Sequence, residues 1–186
     1  MMRFLMSLVV ALSFSSLVSA KEVAGVDVAT NFSAAEKELV LNGVGIRTKF
    51  FMDIYVAALY LPETKVSADE IIAADEPMAI RLHIVSSMIN PKRMSDSTRD
   101  GFVRSTGGNT APIESEIEEL ITAFQDAVEE GDIFDIVYVP EQGVTVYRNG
   151  EAKSSVEGLG FKQALFGIWL SEDPIQERLK EQMLNG

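Results

Sequence analysis

The chain has 186 residues, with 16 Lys and Arg, 28 Asp and Glu, one His and no Cys, and a formal net charge of −12. Without Cys, disulfides, thiolate nucleophiles and Cys-ligated metal sites are excluded, and only His83 could act as an imidazole base or ligand. The acidic charge argues against nucleic-acid binding and predicts repulsion from anionic membranes, because both kinds of contact need clustered Lys and Arg.

The first twenty residues have the pattern of a secretory signal peptide. Arg3 precedes an apolar stretch over residues 4–18, and Val18-Ser19-Ala20 forms a cleavage pattern. Cleavage after Ala20 removes one charge, that of Arg3, and gives a net charge of −13. Fifteen residues span about 22 Å as a helix, short of the roughly 30 Å bilayer core, so no stable membrane anchor is expected. We predict a soluble domain over residues 21–186, exported to the periplasm of a Gram-negative cell.

The first half of this domain is predicted to consist mainly of strands. A possible short strand covers Val23–Val28, and a capping-box pattern at residues 33–36 gives a doubtful helix. The strongest strand pattern extends from Glu38 to Leu61, and its near-continuous hydrophobic second half suggests burial on both faces. A short helix after Ser67 and a strand over Met78–Ser87 follow.

The second half alternates between blocks of helix and blocks of strand. Asn90 and Pro91 are favourable first residues for a helix that extends to about Arg104. The later predictions are an amphipathic helix, three strands and two helices, at residues 112–129, 133–139, 144–148, 151–156, 161–168 and from Asp173 onward. This order predicts an α+β fold in which helices pack on one face of an antiparallel sheet.

Most motifs of known catalytic chemistry are missing from the sequence. No phosphate-binding loop, dinucleotide fingerprint or nucleophile elbow occurs, and a Ser-His-Asp triad would depend on His83. His83 is predicted on the same strand face as Arg81, and we interpret it as a structural or surface residue. The carboxylates of residues 114–135 alternate with an apolar stripe, which is typical of a solvated helix face. We therefore expect no metal and no cofactor.

One group of polar residues lies within the strongest strand pattern. Arg47, Asp53 and Tyr55 occupy odd positions and would share one face if the strand were unbroken from residue 47 to 55. A guanidinium beside a run of aromatics needs a partner, and Asp53 is the candidate. The alternative interpretation has Arg47 exposed in a turn and Asp53 at a strand edge.

Several segments resemble the chalcone isomerase family. LNGVGIR at residues 41–47 and VAALYL at 56–61 resemble the opening of that fold, where a Gly-rich turn brings an Arg to the ligand cleft. GLGFKQALFGIWL at residues 158–170 is similar to the bacterial chalcone isomerase-like branch. With DIVYVP and the later Asn-Gly turn, the resemblance covers most of residues 23–183.

The resemblance implies two kinds of relative. One is the plant enzymes that close chalcones to flavanones, and the other binds fatty acids in the same cleft. In both, the Arg that matches Arg47 faces the ligand, and Tyr at position 55 resembles the fatty-acid-binding relatives. A further Thr of the enzymes falls at about Leu165, and residues 93–101 lack the Tyr and Asn that the enzymes carry.

These observations give three hypotheses. The first is an exported, non-catalytic binding protein for a fatty acid or similar amphipathic carboxylate, with Arg47 and Tyr55 on the head group and Asp53 and Leu165 in the same site. The second is an isomerase or lyase in which Arg47 stabilises an enolate and Tyr55 donates a proton. The third is a structural or partner-binding module whose cleft is filled by side chains.

Overall fold

The computed structural model describes residues 20–185, so the predicted signal segment, apart from Ala20, lies outside the described residues. Two short strands, β1 (Ala20–Val23) and β2 (Val26–Ala29), pair as a separate hairpin. The main sheet has seven antiparallel strands in chain order. They are β3 (Asn31–Ala34), β4 (Lys37–Lys49), β5 (Met52–Leu61), β6 (Met78–Ile84), β7 (Ile133–Val139), β8 (Gly143–Arg148) and β9 (Glu151–Val156).

Five α-helices fill the connections within the sheet and the C-terminal segment. They are α1 (Ala68–Ala73), α2 (Pro91–Ser105), α3 (Glu114–Ile121), α4 (Leu159–Leu170) and α5 (Glu177–Leu184), with single 3-10 turns on either side of α3. Ser67 and Asn90 cap α1 and α2 through their side-chain oxygens, as their residue types predict. No helix within residues 20–185 has the length and hydrophobicity needed to cross a bilayer.

Strand β5 is buried on both sides, as its hydrophobic run predicts. Ala57 and Leu59 belong to the core between the sheet and the helices. Val56, Ala58 and Tyr60 belong to a smaller core on the other face, which also contains residues of β2 and β3. Because side chains alternate along a strand, the two cores lie on opposite faces of the sheet. The predicted antiparallel α+β fold with helices on one face is confirmed.

Helix α5 lies unusually close to β4, and glycine makes this possible. A Cβ atom added to Gly45 would lie 2.6 Å from Oε1 of Gln182, and one added to Gly43 would collide with the backbone of Met183. The side chain of Asn42 donates to the Met183 carbonyl at 2.9 Å. The Gly-rich segment of β4 is therefore the docking surface for α5, and the two elements are fixed together just before Arg47.

Two hairpins replace elements expected in the N-terminal part. The segment Val23–Val28 is not one strand, because Ala24 and Gly25 have φ values of 50° and 77° and reverse the chain between β1 and β2. The capping-box pattern at residues 33–36 does not start a helix. Its last residues form the turn between β3 and β4, where ladder hydrogen bonds satisfy the backbone.

Two helix boundaries also differ from the predictions. The helix expected over residues 112–129 ends with the 3-10 turn at Phe124, because Asp132 accepts the Glu129 amide at 2.8 Å and holds the segment as a loop. The terminal helix begins at Glu177 instead of near Asp173. The Ile175 amide first donates to the Ile168 carbonyl at 2.8 Å, which folds this segment back onto α4.

Candidate functional site

The β4–β5 hairpin brings Arg47 and Tyr55 together, though not by the predicted geometry. The expectation of one unbroken strand from residue 47 to 55 is wrong, because the chain reverses at Phe50 and Phe51. Arg47 and Tyr55 are instead direct partners across the two antiparallel strands, so their side chains lie on the same face. Asp53 pairs with Thr48 and accepts its hydroxyl at 3.2 Å, so it is not the partner of Arg47.

The Arg47 guanidinium is held in place from one side. Its Nη1 donates to Oε1 of Gln176 at 3.1 Å and to the Thr48 carbonyl at 3.0 Å. The same Gln176 oxygen accepts the Thr48 amide at 3.0 Å, so one side chain just before α5 orients both groups. Within residues 20–185 no carboxylate forms an ion pair with Arg47, and its Nε and Nη2 make no hydrogen bond. The guanidinium therefore keeps donors for an acidic group from outside.

Tyr55 supplies a second polar group beside this guanidinium. Its side chain is only 6% exposed, and its hydroxyl oxygen accepts the indole Nε1–H of Trp169 at 3.1 Å. Burial raises the pKa of Tyr55, an effect that the Trp169 hydrogen bond and the charge of Arg47 partly offset. The phenol is therefore neutral at physiological pH. Among the described residues, no acceptor lies within hydrogen-bond distance of its proton.

Arg47 and Tyr55 line a groove between the β4–β5 hairpin and α2. Its volume is about 390 Å³. The apolar lining residues are Phe50, Met52, Ile54, Met88, Ile89 and Met94. The charged lining residues are Arg47, Lys49, Arg93, Asp96 and Asp100, and Asp96 is paired with Lys92 at 2.5 Å. Three cations against two carboxylates make the groove locally basic in a chain whose net charge is −12.

Leu165 lies deeper in the molecule than this groove. It is buried on α4 and lines a second cavity of only about 30 Å³ between the sheet and the helices. Tyr55, Met94 and Ser97 line both spaces, so they form the boundary between groove and core. A cavity of this size holds about one water molecule. The space for a ligand is thus the outer groove, and the structure does not bring Leu165 into it.

The opposite face of the sheet carries the residues that the sequence analysis treated as structural. Arg81 donates to both carboxylate oxygens of Asp135, at 2.6 and 2.8 Å, and covers the ring of Phe32. Arg81 also borders a separate groove on this face, with a volume of about 520 Å³. His83 is half-buried on this same face, where burial and the charge of Arg81 lower its pKa. The charge of Arg81 is paired with that of Asp135, and His83 is separated from Arg47 by the sheet.

Three residues at or beside the groove were not predicted from the sequence: Met88 lines it, and Trp169 and Gln176 contact Tyr55 and Arg47. Trp169 was named only within the segment that resembles the chalcone isomerase family. Because it is the single Trp of the chain, it could have been considered as a site residue. Gln176 gave no signal, because its role depends on a contact across 129 positions. Met88 lies between the strand predicted up to Ser87 and the helix predicted from Asn90, and its place at the groove follows from the turn before α2. Within residues 20–185, no three acidic or imidazole side chains converge as a metal site would require.

Comparisons with known proteins agree with the fold described above. The sequence profile of the chalcone isomerase-like family matches residues 20–185. The crystal structure of a fatty-acid binding protein from Arabidopsis thaliana has the same fold, with a TM-score of 0.70 and 16% sequence identity. The match covers 90% of this chain and 95% of the plant protein. No curated protein matches the chain.

Proposed function

This chain belongs to the chalcone isomerase-like family, and on that premise we propose that it binds a fatty acid or a similar amphipathic carboxylate. The head group would lie between Arg47 and Tyr55. The observation that carries the proposal is a guanidinium with no acidic partner in the described chain, directly opposite a neutral phenol in a groove. The fatty-acid binding protein of the same fold supports this proposal.

The chemistry of the two polar groups suits a carboxylate. The free guanidinium nitrogens would donate charge-assisted hydrogen bonds, and the Tyr55 hydroxyl would donate a third. Together they would satisfy both carboxylate oxygens without a general base. Because Gln176 and Trp169 already orient the two side chains, little conformational entropy remains to be lost on binding.

The remaining wall of the groove suits an acyl chain. Its volume of about 390 Å³ falls within the range of small-molecule sites, roughly 300–1,000 Å³. Three of its lining residues are Met52, Met88 and Met94. Methionine side chains are unbranched and polarizable, so these three can adjust to acyl chains of different length. We infer that the chain would lie along α2 and not in the small cavity behind Tyr55.

The isomerase hypothesis has weaker support. A proton donor works best when its pKa is near the working pH, and burial moves the pKa of Tyr55 further from that range. The residues of α2 that line the groove are Arg93, Met94, Asp96, Ser97 and Asp100, which offer no second phenol or amide. Turnover of a chalcone, lost in an Arg47→Ala variant, would restore this hypothesis.

We also propose that the protein works in the periplasm, on the strength of the signal-like pattern at residues 1–20. Protein isolated from the native cells would then begin at Lys21. An N-terminal sequence that starts at Met1 would contradict export by this signal.

The single Trp offers a direct test of ligand binding. Trp169 donates to Tyr55, so its emission should change when palmitate enters the groove of the delipidated protein. Arg47→Ala should weaken palmitate binding about 10- to 100-fold, because hydrogen bonds to a charged group contribute roughly 1.5–3 kcal/mol.

Arg178→Ala is the matched control for charge, since Arg178 is exposed on α5 and does not line the groove. It should bind palmitate like the wild type. Equal affinity of Arg47→Ala and wild type would refute the head-group role. Lipid extracts of the protein from native cells that contain no acyl carboxylate would count against the function itself.

A further inference from the structure

The tip of the β4–β5 hairpin presents two aromatic side chains to solvent. Phe50 is 78% exposed and Phe51 is fully exposed. Seven large hydrophobic residues are exposed among residues 20–185. Three of them, Phe50, Met52 and Met88, line the groove, and Phe51 follows Phe50 at the tip. Four of the seven thus belong to one patch, which we call the tip patch. A concentration of this kind is typical of a surface that contacts another apolar phase.

The backbone of the tip is unfavourable for these residues. Phe50 and Phe51 have φ values of 50° and 64°, in the left-handed region. Two-residue hairpin turns with both φ values positive favour Asn and Gly, because a Cβ atom is strained there. Among the described residues, the one ring contact of Phe50 and Phe51 is that of Lys49, whose Nζ lies 5.8 Å from the centre of the Phe50 ring. Packing within the described chain therefore does not account for aromatic residues at this turn.

The charges beside the tip patch identify the phase it would contact. Lys49 and Arg93 are exposed on the two walls of the groove, and Arg47 lies between them. The nearby carboxylates are Asp53, Asp96 and Asp100, and Lys92, which pairs with Asp96, is a fourth cation beside them, so cations outnumber carboxylates by four to three. Protruding aromatics flanked by cations are the pattern of proteins that insert shallowly into a bilayer interface. The overall charge of −12 would then keep the rest of the molecule directed away from an anionic surface.

We propose that the tip patch docks on a bilayer that carries anionic phospholipids, with Phe50 and Phe51 in the headgroup region and Lys49 and Arg93 at the phosphates. This contact places the mouth of the groove at the lipid surface. It goes beyond the proposed ligand and does not depend on it. If the groove holds a fatty acid, the same contact gives the ligand a path that avoids water.

Vesicle flotation tests the docking with the full mature protein. Wild type should bind vesicles of phosphatidylcholine and phosphatidylglycerol. Phe51→Ser should bind them roughly tenfold or more weakly, since a Phe side chain leaves water when it inserts. Val66→Ser is the matched control, because Val66 is exposed at a distance from the groove, and it should bind like wild type. Equal binding of Phe51→Ser and wild type would overturn the proposal.

Two further measurements separate the alternatives. Lys49→Glu should weaken binding about tenfold, as expected for reversing one charge at an anionic surface, and unchanged binding would refute the choice of an anionic bilayer. If light scattering shows a wild-type dimer that Phe51→Ser dissociates, the patch contacts a second copy and the proposal is wrong. Palmitate titration of Phe51→Ser should match wild type, because Phe51 does not line the groove. Loss of docking with palmitate binding intact keeps the two proposals distinct.

Discussion

Two enclosed cations, Lys162 and Arg47, lie in very different surroundings. Lys162 is 0% exposed, and its ammonium donates to the carbonyls of Ile71, Ile72 and Ala74 at 2.8–2.9 Å. Burial lowers its pKa to about 8, so the amine is still mostly protonated at neutral pH. All three of its donors are used, and the acceptors are the last carbonyls of α1. The Lys162 side chain therefore caps the C-terminal end of α1, from which it is far away in sequence.

The Arg47 region has the opposite character. Its guanidinium uses one nitrogen for structure and keeps the others facing a groove. The hairpin beyond it is strained and exposes Phe50 and Phe51. This contrast indicates that unused hydrogen-bonding capacity is a stronger argument for a ligand contact than burial is. Under the two proposals above, the Lys162 region stabilises the fold, whereas the Arg47 region gives up stability for contact with a ligand or a bilayer.

The largest effect is expected at the structural cation. Lys162→Met should lower the free energy of unfolding by about 2–3 kcal/mol, because it leaves the α1 carbonyls without donors in a buried site. Palmitate affinity should change less than about twofold, since Lys162 does not line the groove. Urea denaturation and Trp169 titration measure the two quantities. A variant with wild-type stability and impaired binding would reverse the roles assigned to the two regions.

A change at the hairpin tip should raise stability. Replacing Phe50 by Asn and Phe51 by Gly should increase the free energy of unfolding by about 1–2 kcal/mol, because both residues suit positive φ values. Thermal unfolding of this double variant gives the stability, and vesicle flotation gives the expected loss of docking. The turn between β8 and β9 already has the favourable residues Asn149 and Gly150. The reverse double substitution, both residues to Phe, should therefore destabilise the fold. No gain at residues 50 and 51 would show that the strain there is relieved by another interaction.

The smallest effect is expected at the residue that orients Arg47. Gln176→Leu should weaken palmitate binding about three- to fivefold, because Arg47 loses one of its two acceptors but keeps its charge. Replacement by Glu should weaken binding further, since a carboxylate would pair with the guanidinium and compete with the ligand. Isothermal titration calorimetry distinguishes these variants. A Glu variant that binds as tightly as wild type would mean that the spare donors of Arg47 do not contact the carboxylate.

Local rules predicted the parts of the fold that depend on neighbours in sequence. Ser67 and Asn90 started α1 and α2 as expected, and the Asn149-Gly150 turn closed the hairpin between β8 and β9. The pairing of β7 with β8 also followed from the pattern. In these cases the residue type and its required conformation agree, so the sequence is sufficient.

The predictions failed where a residue contradicts its local conformation or acts over a distance. Phe50 and Phe51 form a turn although both are typical of strands, which hid the hairpin and suggested a single face for Arg47, Asp53 and Tyr55. The burial of Lys162 gave no signal in the sequence, because its acceptors lie about 90 positions earlier. Such contacts follow from tertiary packing, which overrides local preference.

The contact between Arg47 and Gln176 joins residues 129 positions apart, so it can form only after nearly the whole chain has been synthesised. A chain emerging from the ribosome or crossing a membrane would have the hairpin before it has the helix that orients it. Contacts that close such long loops are made after local structure is in place. A partly synthesised chain that lacks residue 176 would then hold Arg47 only through the Thr48 carbonyl, and the guanidinium would reach its final orientation after the C-terminal segment has folded.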